Sequence, residues 1–525
     1  MKNFIIENVF KVINQAGYNA WFVGGCVRDN LMKIKNNDYD ICTNCPLEVI
    51  KTIFNNIVNI FENPFSKIYV VGLIIKNGNR TEHIDISTMC PVDFDKSDEI
   101  NLTNKKILTY NELLIYKDAM RRDFTINALY EDIDGNIIDP TGLGISDVKN
   151  SILRFVGEDF KTKLITDPLI MFRFIRFLST KDLVSYETLK SIKSISENLD
   201  FNKVSKEHKL SELIKIISGK NWMNVYFYEY FEASGIFKYF GFDKIFEQLE
   251  SCNQTYEFHL EGSQWMNKET GEIVDGETIK DFNEFIPVRQ SNVLYHTLYV
   301  VKNMCKLLEN ETDKHKRFIL NLAAFLHDIG KPKCNEINGS KVKKFKVNDI
   351  EIKETIPIVY NHDFIGKDIA YDFCKNLGIN SNDCKLIRNL VDNHMKILQL
   401  EKIKSSSQIF KFVKLPYFDY LYILAQADDK ASIPINKNKM TIEQIMSRKI
   451  IIYIDGKKEV LIKDLINMDN PKPILNGKDL INKGIKDGQL IGKMLDKALD
   501  FQINEGITDK VILLNKIKGV KLSLK

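Results

Sequence analysis

Val23-Gly24-Gly25-Cys26-Val27-Arg28-Asp29, followed after a short loop by Asp38-Tyr39-Asp40, is the stretch whose reading decides the fold. Two adjacent glycines follow an apolar run (Trp21, Phe22, Val23), so the backbone can turn tightly and bring its N–H groups close to a phosphate. Arg28 adds a cation for polyphosphate oxygens. Asp38 and Asp40 stand two apart in an extended reading, which puts both carboxylates on one face of a strand. That pair suits Mg²⁺, a hard ion that takes one or two carboxylates together with phosphate oxygens. The combination describes a site for metal-assisted nucleotidyl transfer, in which an attacking hydroxyl is activated and the leaving pyrophosphate is neutralised.

A chain of 525 residues is too long for one core and is expected to divide into three to five domains. With a net charge of +4 and a pI of about 8.3, any nucleic acid contact must come from local patches rather than from global charge. Nine cysteines without framework spacing point to reduced thiols and a cytoplasmic setting. Cys42 and Cys45 form a lone CxxC with no second pair nearby, short of a zinc site. The opening residues have apolar positions at helical spacing and read as an amphipathic helix, not a signal peptide. No run of eighteen apolar residues occurs, so no membrane span is expected.

The glycine pair and the DxD stretch together resemble the head domain of the polymerase beta superfamily, in particular the bacterial CCA-adding tRNA nucleotidyltransferase and poly(A) polymerase family. After them, Pro46 to Ile57 reads as a helix, and strands are expected near Tyr69 to Ile75 and His83 to Ser87. In the second strand Asp85 alternates with Ile84 and Ile86; it is a candidate third catalytic carboxylate or an ordinary solvent-facing residue. The polar stretch from Met89 to about Thr109 matches the family's flexible loop, with Cys90 where an arginine often follows. Arg121-Arg122-Asp123-Phe124-Thr125-Ile126-Asn127-Ala128-Leu129 reads as a helix start whose arginines could clamp a triphosphate or ribose. The nonapeptide matches a family motif, and the resemblance implies that Arg122 contacts the incoming nucleotide.

Thr166 to Phe177 resembles the family's base-reading helix. There a carboxylate, here Asp167, accepts from the exocyclic amine that C and A share, and an arginine three residues on donates to the neighbouring ring nitrogen. Arg173 and Arg176 share one helical face, but position 170, where that arginine is expected, is Ile170. A base acceptor left unpaired costs about 1–3 kcal/mol. Three readings follow: a neighbouring arginine substitutes, selectivity is lower, or one nucleotide is mainly added.

A third constellation is independent of these. His296 opens one helix, His327-Asp328 ends another before Gly330-Lys331-Pro332, and His362, His394 and Asp428 follow. Four of the chain's eight histidines fall in this series with two aspartates, a set that binds transition metals and activates water against a phosphoester. The order resembles the HD phosphohydrolase domain, which is fused behind the head in one branch of tRNA nucleotidyltransferases. The resemblance implies one metal on His296, His327, Asp328 and Asp428, with His362 and His394 allowing a second; Ni²⁺, Mn²⁺, Fe²⁺ and Zn²⁺ all suit. Lys331 is a candidate phosphate ligand or a solvated lysine. Lys341, Lys343, Lys344 and Lys346 read first as a solvated hairpin face and second as an RNA contact. From Asn476 the tail resembles the C-terminal segment of HD-containing members, with Gly477, Gly484, Gly488 and Gly492 expected to punctuate short helices.

The expected architecture is α+β: a nucleotidyltransferase head with a small mixed sheet (1–145), then a mostly α-helical neck (146–200), body and insertion (201–285), HD domain (286–440) and tail (441–525). The resemblance implies addition of CCA to the 3′ end of tRNA from CTP and ATP, with no DNA template and no membrane. In that reading Asp38 and Asp40 hold Mg²⁺. Gly24, Gly25, Arg28, Arg121, Arg122, Arg173 and Arg176 bind the nucleotide, and Asp167 reads the base. The alternatives are a poly(A) polymerase or other single-nucleotide tailing enzyme, an RNA-end phosphohydrolase with a nucleotide-binding head, and an RNA-binding scaffold.

Overall fold

A computed structural model describes residues 4–34, 39–54, 59–62, 70–77, 80–89, 110–253, 257–258, 264–267, 273–275, 285–289, 292–347, 350–431, 433–434, 440–454 and 456–518. They form two compact units, one of residues 1–212 and 229–236, the other of 213–228 and 237–525.

The first unit begins with α1 (Phe4–Gln15), whose Ile6, Val9, Phe10 and Ile13 recur at helical spacing and are all buried. It leads into β1 (Ala20–Val23), α2 (Gly25–Leu31), β2 (Tyr39–Thr43), α3 (Leu47–Phe54), β3 (Asn59–Glu62), β4 (Val70–Asn77), β5 (Arg80–Thr88), α4 (Tyr110–Met120), β6 (Tyr130–Glu131) and β7 (Ile137–Ile138). The strands form one sheet in the order β3-β4-β5-β2-β1-β6-β7. Only the central β2–β5 pair is parallel, and its register sets Asp40 beside Asp85. Ile84 and Ile86 are buried while Asp85 between them is exposed, so the period of two aims its carboxylate away from the core. Trp21, Val23, Cys42, Leu114, Ile115, Ala128 and Tyr130 belong to the core under that sheet. Phe124, Phe155, Phe174 and Phe177 then pack the helix Leu169–Thr180 onto the same unit.

The second unit is mostly helical. Trp222 and Phe242 meet Phe325 of the helix Lys314–Leu326. The helices Val293–Leu307, Lys331–Asn338, His362–Asn376, Ser381–Asn393 and Phe418–Ala431 complete this bundle, interrupted by the hairpin Ser340–Val347/Ile350–Pro357. A further core gathers Ile397, Phe410, Phe418, Ile445, Ile452, Leu465 and Ile503. Among the described residues no helix is long and apolar enough to cross a membrane.

Several expected elements change on inspection. The helix expected over 46–57 is described as Leu47–Phe54, and the strands are longer than expected at Val70–Asn77 and Arg80–Thr88. Arg121 and Arg122 do not open a helix: they sit in the turn after α4, because both fold back onto Asp118 one turn earlier. Only a short 3-10 turn, Thr125–Asn127, follows. In the tail, Gly488 and Gly492 lie within an 18-residue helix, Gly488–Glu505, instead of punctuating short ones. Parts of the 261–287 insertion are described as the antiparallel strands Gln264–Asn267, Ile273–Asp275 and Phe285–Arg289, while the expected loop over 90–109 lies outside the described residues.

That tail helix ends at Gly506, whose φ of +70° favours glycine and whose added Cβ would lie 2.5 Å from the Tyr453 ring. Gly506→Ala is expected to cost more than about 1 kcal/mol and to lower the thermal unfolding midpoint. An unchanged midpoint would show that this cap carries no strain.

Candidate active sites

Gly24 turns β1 into α2 with φ +74° and ψ −127°, a conformation side chains resist. A Cβ built on it would lie 3.7 Å from Arg122 Nη1, 3.8 Å from Asp40 Oδ2 and 3.9 Å from the Asn127 carbonyl oxygen. The glycine turn, a strand carboxylate and a guanidinium therefore converge on one small volume, with Asp85 next to Asp40 across the parallel pair. Asp40 and Asp85 are both exposed; Asp38 lies outside the described residues.

One buried carboxylate holds Arg122 in that position. Asp118 Oδ2 accepts from Arg122 Nε at 3.0 Å, Arg122 Nη2 at 2.9 Å and the Tyr130 hydroxyl at 2.5 Å, and its Oδ1 pairs with Arg121. Burial alone would push the Asp118 carboxyl up, but Arg122 and Arg121 outweigh it and hold it below its ordinary value. A chain of polar contacts runs onward. Arg28, itself buried, donates to Asp29 Oδ1 at 2.9 Å and to Asn127 Oδ1 at 2.7 Å. Asn127 donates to Asp123 Oδ1 at 3.0 Å, and Asp123 Oδ2 pairs with Arg173 at 2.7 Å. Arg28 thus braces the turn from within, and Gly25 lies against it. Arg176 pairs with Glu212 at 3.1 Å. Asp167 stands exposed just before the helix Leu169–Thr180, its Oδ1 accepting from the Leu169 amide at 3.2 Å. Asp118, Asp123 and Tyr130 are the partners that motif reading passes over. The signal for Asp118 was its i, i+3 and i, i+4 spacing from the two arginines.

The second unit gathers its histidines around Asp328. His296 and His327 face each other Nε2 to Nε2 at 3.1 Å, and His362 and His394 do so at 3.2 Å. Asp328 Oδ2 is 3.3 and 3.2 Å from the first pair, and its Oδ1 is 3.1 and 3.7 Å from the second. Asp428 Oδ1 lies 3.1 Å from His296. The Nδ1 atoms of His327, His362 and His394 each point at a backbone carbonyl, of Ala324, Val359 and Val391, which directs the Nε2 lone pairs inward. The His362–His394 pair, with both Nδ1 atoms committed to carbonyls, is the one whose Nε2 lone pairs meet, whereas His296 Nε2 can donate to Asp328, Asp428 or His327. Hydrogen bonds to Asp328 and Asp428 outweigh burial and lift His296 to about 9, whereas burial and the neighbouring His362 and His327 push His394 down to about 4. All six residues fall into two candidate metal-binding groups, His296-His327-Asp428 and Asp328-His362-His394. Lys331 Nζ reaches Asp328 Oδ2 at 2.6 Å, so its charge is spent on the shared carboxylate. Cys42 and Cys45 join no such group among the described residues.

Residues 20–154 match the family described as the Poly A polymerase head domain, and residues 293–430 match the HD domain. The first unit thus resembles a poly A polymerase head and the second contains a match to an HD domain. The CCA-adding enzyme of Limosilactobacillus reuteri is 31% identical over 256 residues, 48% of this chain and 59% of that protein. That of Lactobacillus johnsonii is 35% identical over 219 residues, 40% and 48% of the two chains. The chain therefore spans less than two thirds of the length of these relatives. Two solved structures share the fold across nearly the whole chain. A CCA-adding enzyme with CTP gives a TM-score of 0.54 at 18% identity, covering 98% of this chain and 95% of that one. The Thermotoga maritima CCA-adding enzyme complexed with tRNA gives 0.52 at 20%, again with 98% and 95% coverage.

The head's geometry hangs on the Asp118 ion pairs. Asp118→Asn is expected to destabilise it by about 3 kcal/mol, the scale of breaking a buried pair. Because the native carboxyl sits below its ordinary value of 3.8, its stabilisation is full above that value and is lost as pH falls toward the folded value. The gap in urea midpoint between wild type and variant should thus be widest near pH 7 and narrow below about pH 4. A gap independent of pH would contradict an ionised Asp118.

Proposed function

We propose that this chain adds C, C and A to the 3′ end of tRNA from CTP and ATP without a nucleic acid template, and that its HD domain hydrolyses phosphoesters at RNA ends. The observation that carries the first part is the pairing of Asp40 with Asp85 beside a glycine turn and Arg122 Nη1. Asp38, Asp40 and Asp85 would hold Mg²⁺, and exposed carboxylates of this kind fit an ion that shares its shell with phosphate oxygens. Bound there, Mg²⁺ supplies activation of the 3′ hydroxyl and neutralisation of the pyrophosphate.

In this reading the amides at Gly24 and Gly25 approach the triphosphate, which no side chain at Gly24 would allow. Arg122 donates to its oxygens from the nitrogen left outside the Asp118 pairing, with Arg121 beside it. Arg28 acts as the brace of the turn rather than by reaching outward. Asp167 accepts from the exocyclic amine common to C and A, while Arg173 holds triphosphate and sugar and Arg176 stiffens the helix through Glu212. The division into head, neck, body, HD domain and tail, and a cytoplasmic setting, belong to the same proposal. Among the described residues eight cysteines are buried and none forms a disulfide, which supports the latter. Ile170 favours a second reading, a poly(A) or other single-nucleotide tailing enzyme.

A tRNA transcript lacking CCA, offered CTP, ATP, both, or GTP and UTP, separates these readings. Two C additions followed by one A are expected; a ladder of A would establish the second. Asp40→Asn and Asp85→Asn should each lower addition by at least about 100-fold, the scale of losing a group that stabilises developing charge. Retained addition in either variant would remove that residue from the site.

For the HD domain, His296, His327 and Asp428 with Asp328 would hold one divalent ion, and His362 and His394 with the other Asp328 oxygen a second. Metals of this kind supply a nucleophilic water at neutral pH. Ni²⁺, Mn²⁺, Fe²⁺ and Zn²⁺ are the candidates. Elemental mass spectrometry of the purified protein should find about two transition-metal ions per chain, about one in His362→Ala and none in Asp328→Ala. One ion in the wild type would reduce the site to a single metal.

A further inference from the structure

Of the six clustered side chains Asp428 and His362 are the least covered, at 17% and 9% against 2% or less for the others. His362 is flanked by two of the most exposed aromatic rings described: Tyr360 at 69% and Phe364 at 61%. Asn361 between Tyr360 and His362 takes the left-handed conformation, φ 62° and ψ 27°, unusual for any residue but glycine. That turn sends the His362 ring inward to Asp328 and leaves the Tyr360 ring in solvent. Each ring carries a lysine. Lys341 Nζ lies 5.2 Å from the Tyr360 centroid and 3.3 Å from its hydroxyl, and Lys367 Nζ lies 3.7 Å from the Phe364 centroid while pairing with Asp392. Exposed Ile337 and Val342 belong to the same segment. Residues 331–367 hold eight lysines against five carboxylates, three of the chain's four net positive charges in 37 positions.

Large apolar rings left in water at the mouth of a buried centre mark a binding surface. Charge decides the occupant: rings interleaved with lysines suit alternating bases and phosphates. We propose that Tyr360 and Phe364 form a stacking platform for the last bases of single-stranded RNA, with Lys341 facing its phosphates and Lys367, held by Asp392, backing the Phe364 ring, so that the terminal phosphoester is presented to the HD centre at its His362 edge. The proposal rests on the phosphoesterase reading of that centre for its purpose, but the platform itself is testable without turnover.

The test uses the full chain and a six-nucleotide RNA carrying 5-iodouridine at its last two positions and a 3′ phosphate. Irradiation should attach the RNA to the tryptic peptide 354–367, which contains both rings, and Tyr360→Ala/Phe364→Ala should abolish that adduct while leaving adducts elsewhere. Adducts confined to other peptides would overturn the platform whatever the HD domain hydrolyses. In hydrolysis with Mn²⁺ or Ni²⁺, the double variant should raise KM for this RNA at least about tenfold with kcat within about twofold. Its kcat/KM for p-nitrophenyl phosphate, which has no base to stack, should stay unchanged. Equal KM values would sink the platform. An adduct on 354–367 without hydrolysis of either compound would uphold it while the phosphoesterase reading fails. Both residues are exposed, so the variants should fold, and Tyr360→Phe should restore the adduct.

Discussion

A single buried carboxylate, Asp118, is the constraint on which the head's site depends. It is shielded from water and would be costly to ionise alone, yet it meets Arg121, Arg122 and the Tyr130 hydroxyl at once. The return is geometric. With Nε and Nη2 committed to Asp118, the Arg122 guanidinium has one orientation, and its Nη1 is directed at the volume that Gly24 leaves open beside Asp40. The second brace, Arg28 through Asn127 and Asp123 to Arg173, links the glycine turn to the helix Leu169–Thr180. That helix and the turn are therefore joined by a run of four polar side chains, and Arg28 also lies over the Phe177 ring of the helix.

Asp328 has the same place in the other unit, with the roles reversed. Asp118 gathers cations of the protein itself, whereas Asp328 divides its two oxygens between two histidine pairs whose nitrogens point at one another. Backbone packing holds the second pair in reach. A Cβ on Gly330 would collide with the His362 carbonyl oxygen and would lie 2.7 Å from the Gly366 nitrogen, so the segment after Asp328 touches the helix that begins at His362. Glycine at 330 and 366 is what allows two ligands distant in sequence to share one carboxylate.

Much of this was legible in the residues. Asp85 alternating with Ile84 and Ile86 signalled a half-buried strand, and the histidine series announced a cluster around Asp328. Register was not legible: that Asp40 lies beside Asp85 depends on a parallel pairing of strands more than forty residues apart, which no local pattern encodes. The arginine pair reads as a helix start from its sequence alone, with Asn127 and apolar residues behind it, whereas burial of Phe124 and Ile126 and the pull of Asp118 decide the turn. Arg28 shows the same limit. Its type fits a phosphate, and only the fold reveals that Asp29 and Asn127 occupy it.

The two sites also differ in how they can keep an ion, and burial is the reason. Asp40 and Asp85 are exposed, so an ion on them remains largely hydrated and gains much of its hold from oxygens that arrive with a triphosphate. The HD ligands are buried, nitrogen-rich and oriented by carbonyls on their far side. The His362–His394 pair is poorly satisfied without a cation, since its Nε2 lone pairs face each other at 3.2 Å. On the proposed reading the head's ions should therefore come and go with nucleotide, while those of the HD cluster stay in the fold. Transfer and hydrolysis would then use the same class of ion, held on different terms in the two units.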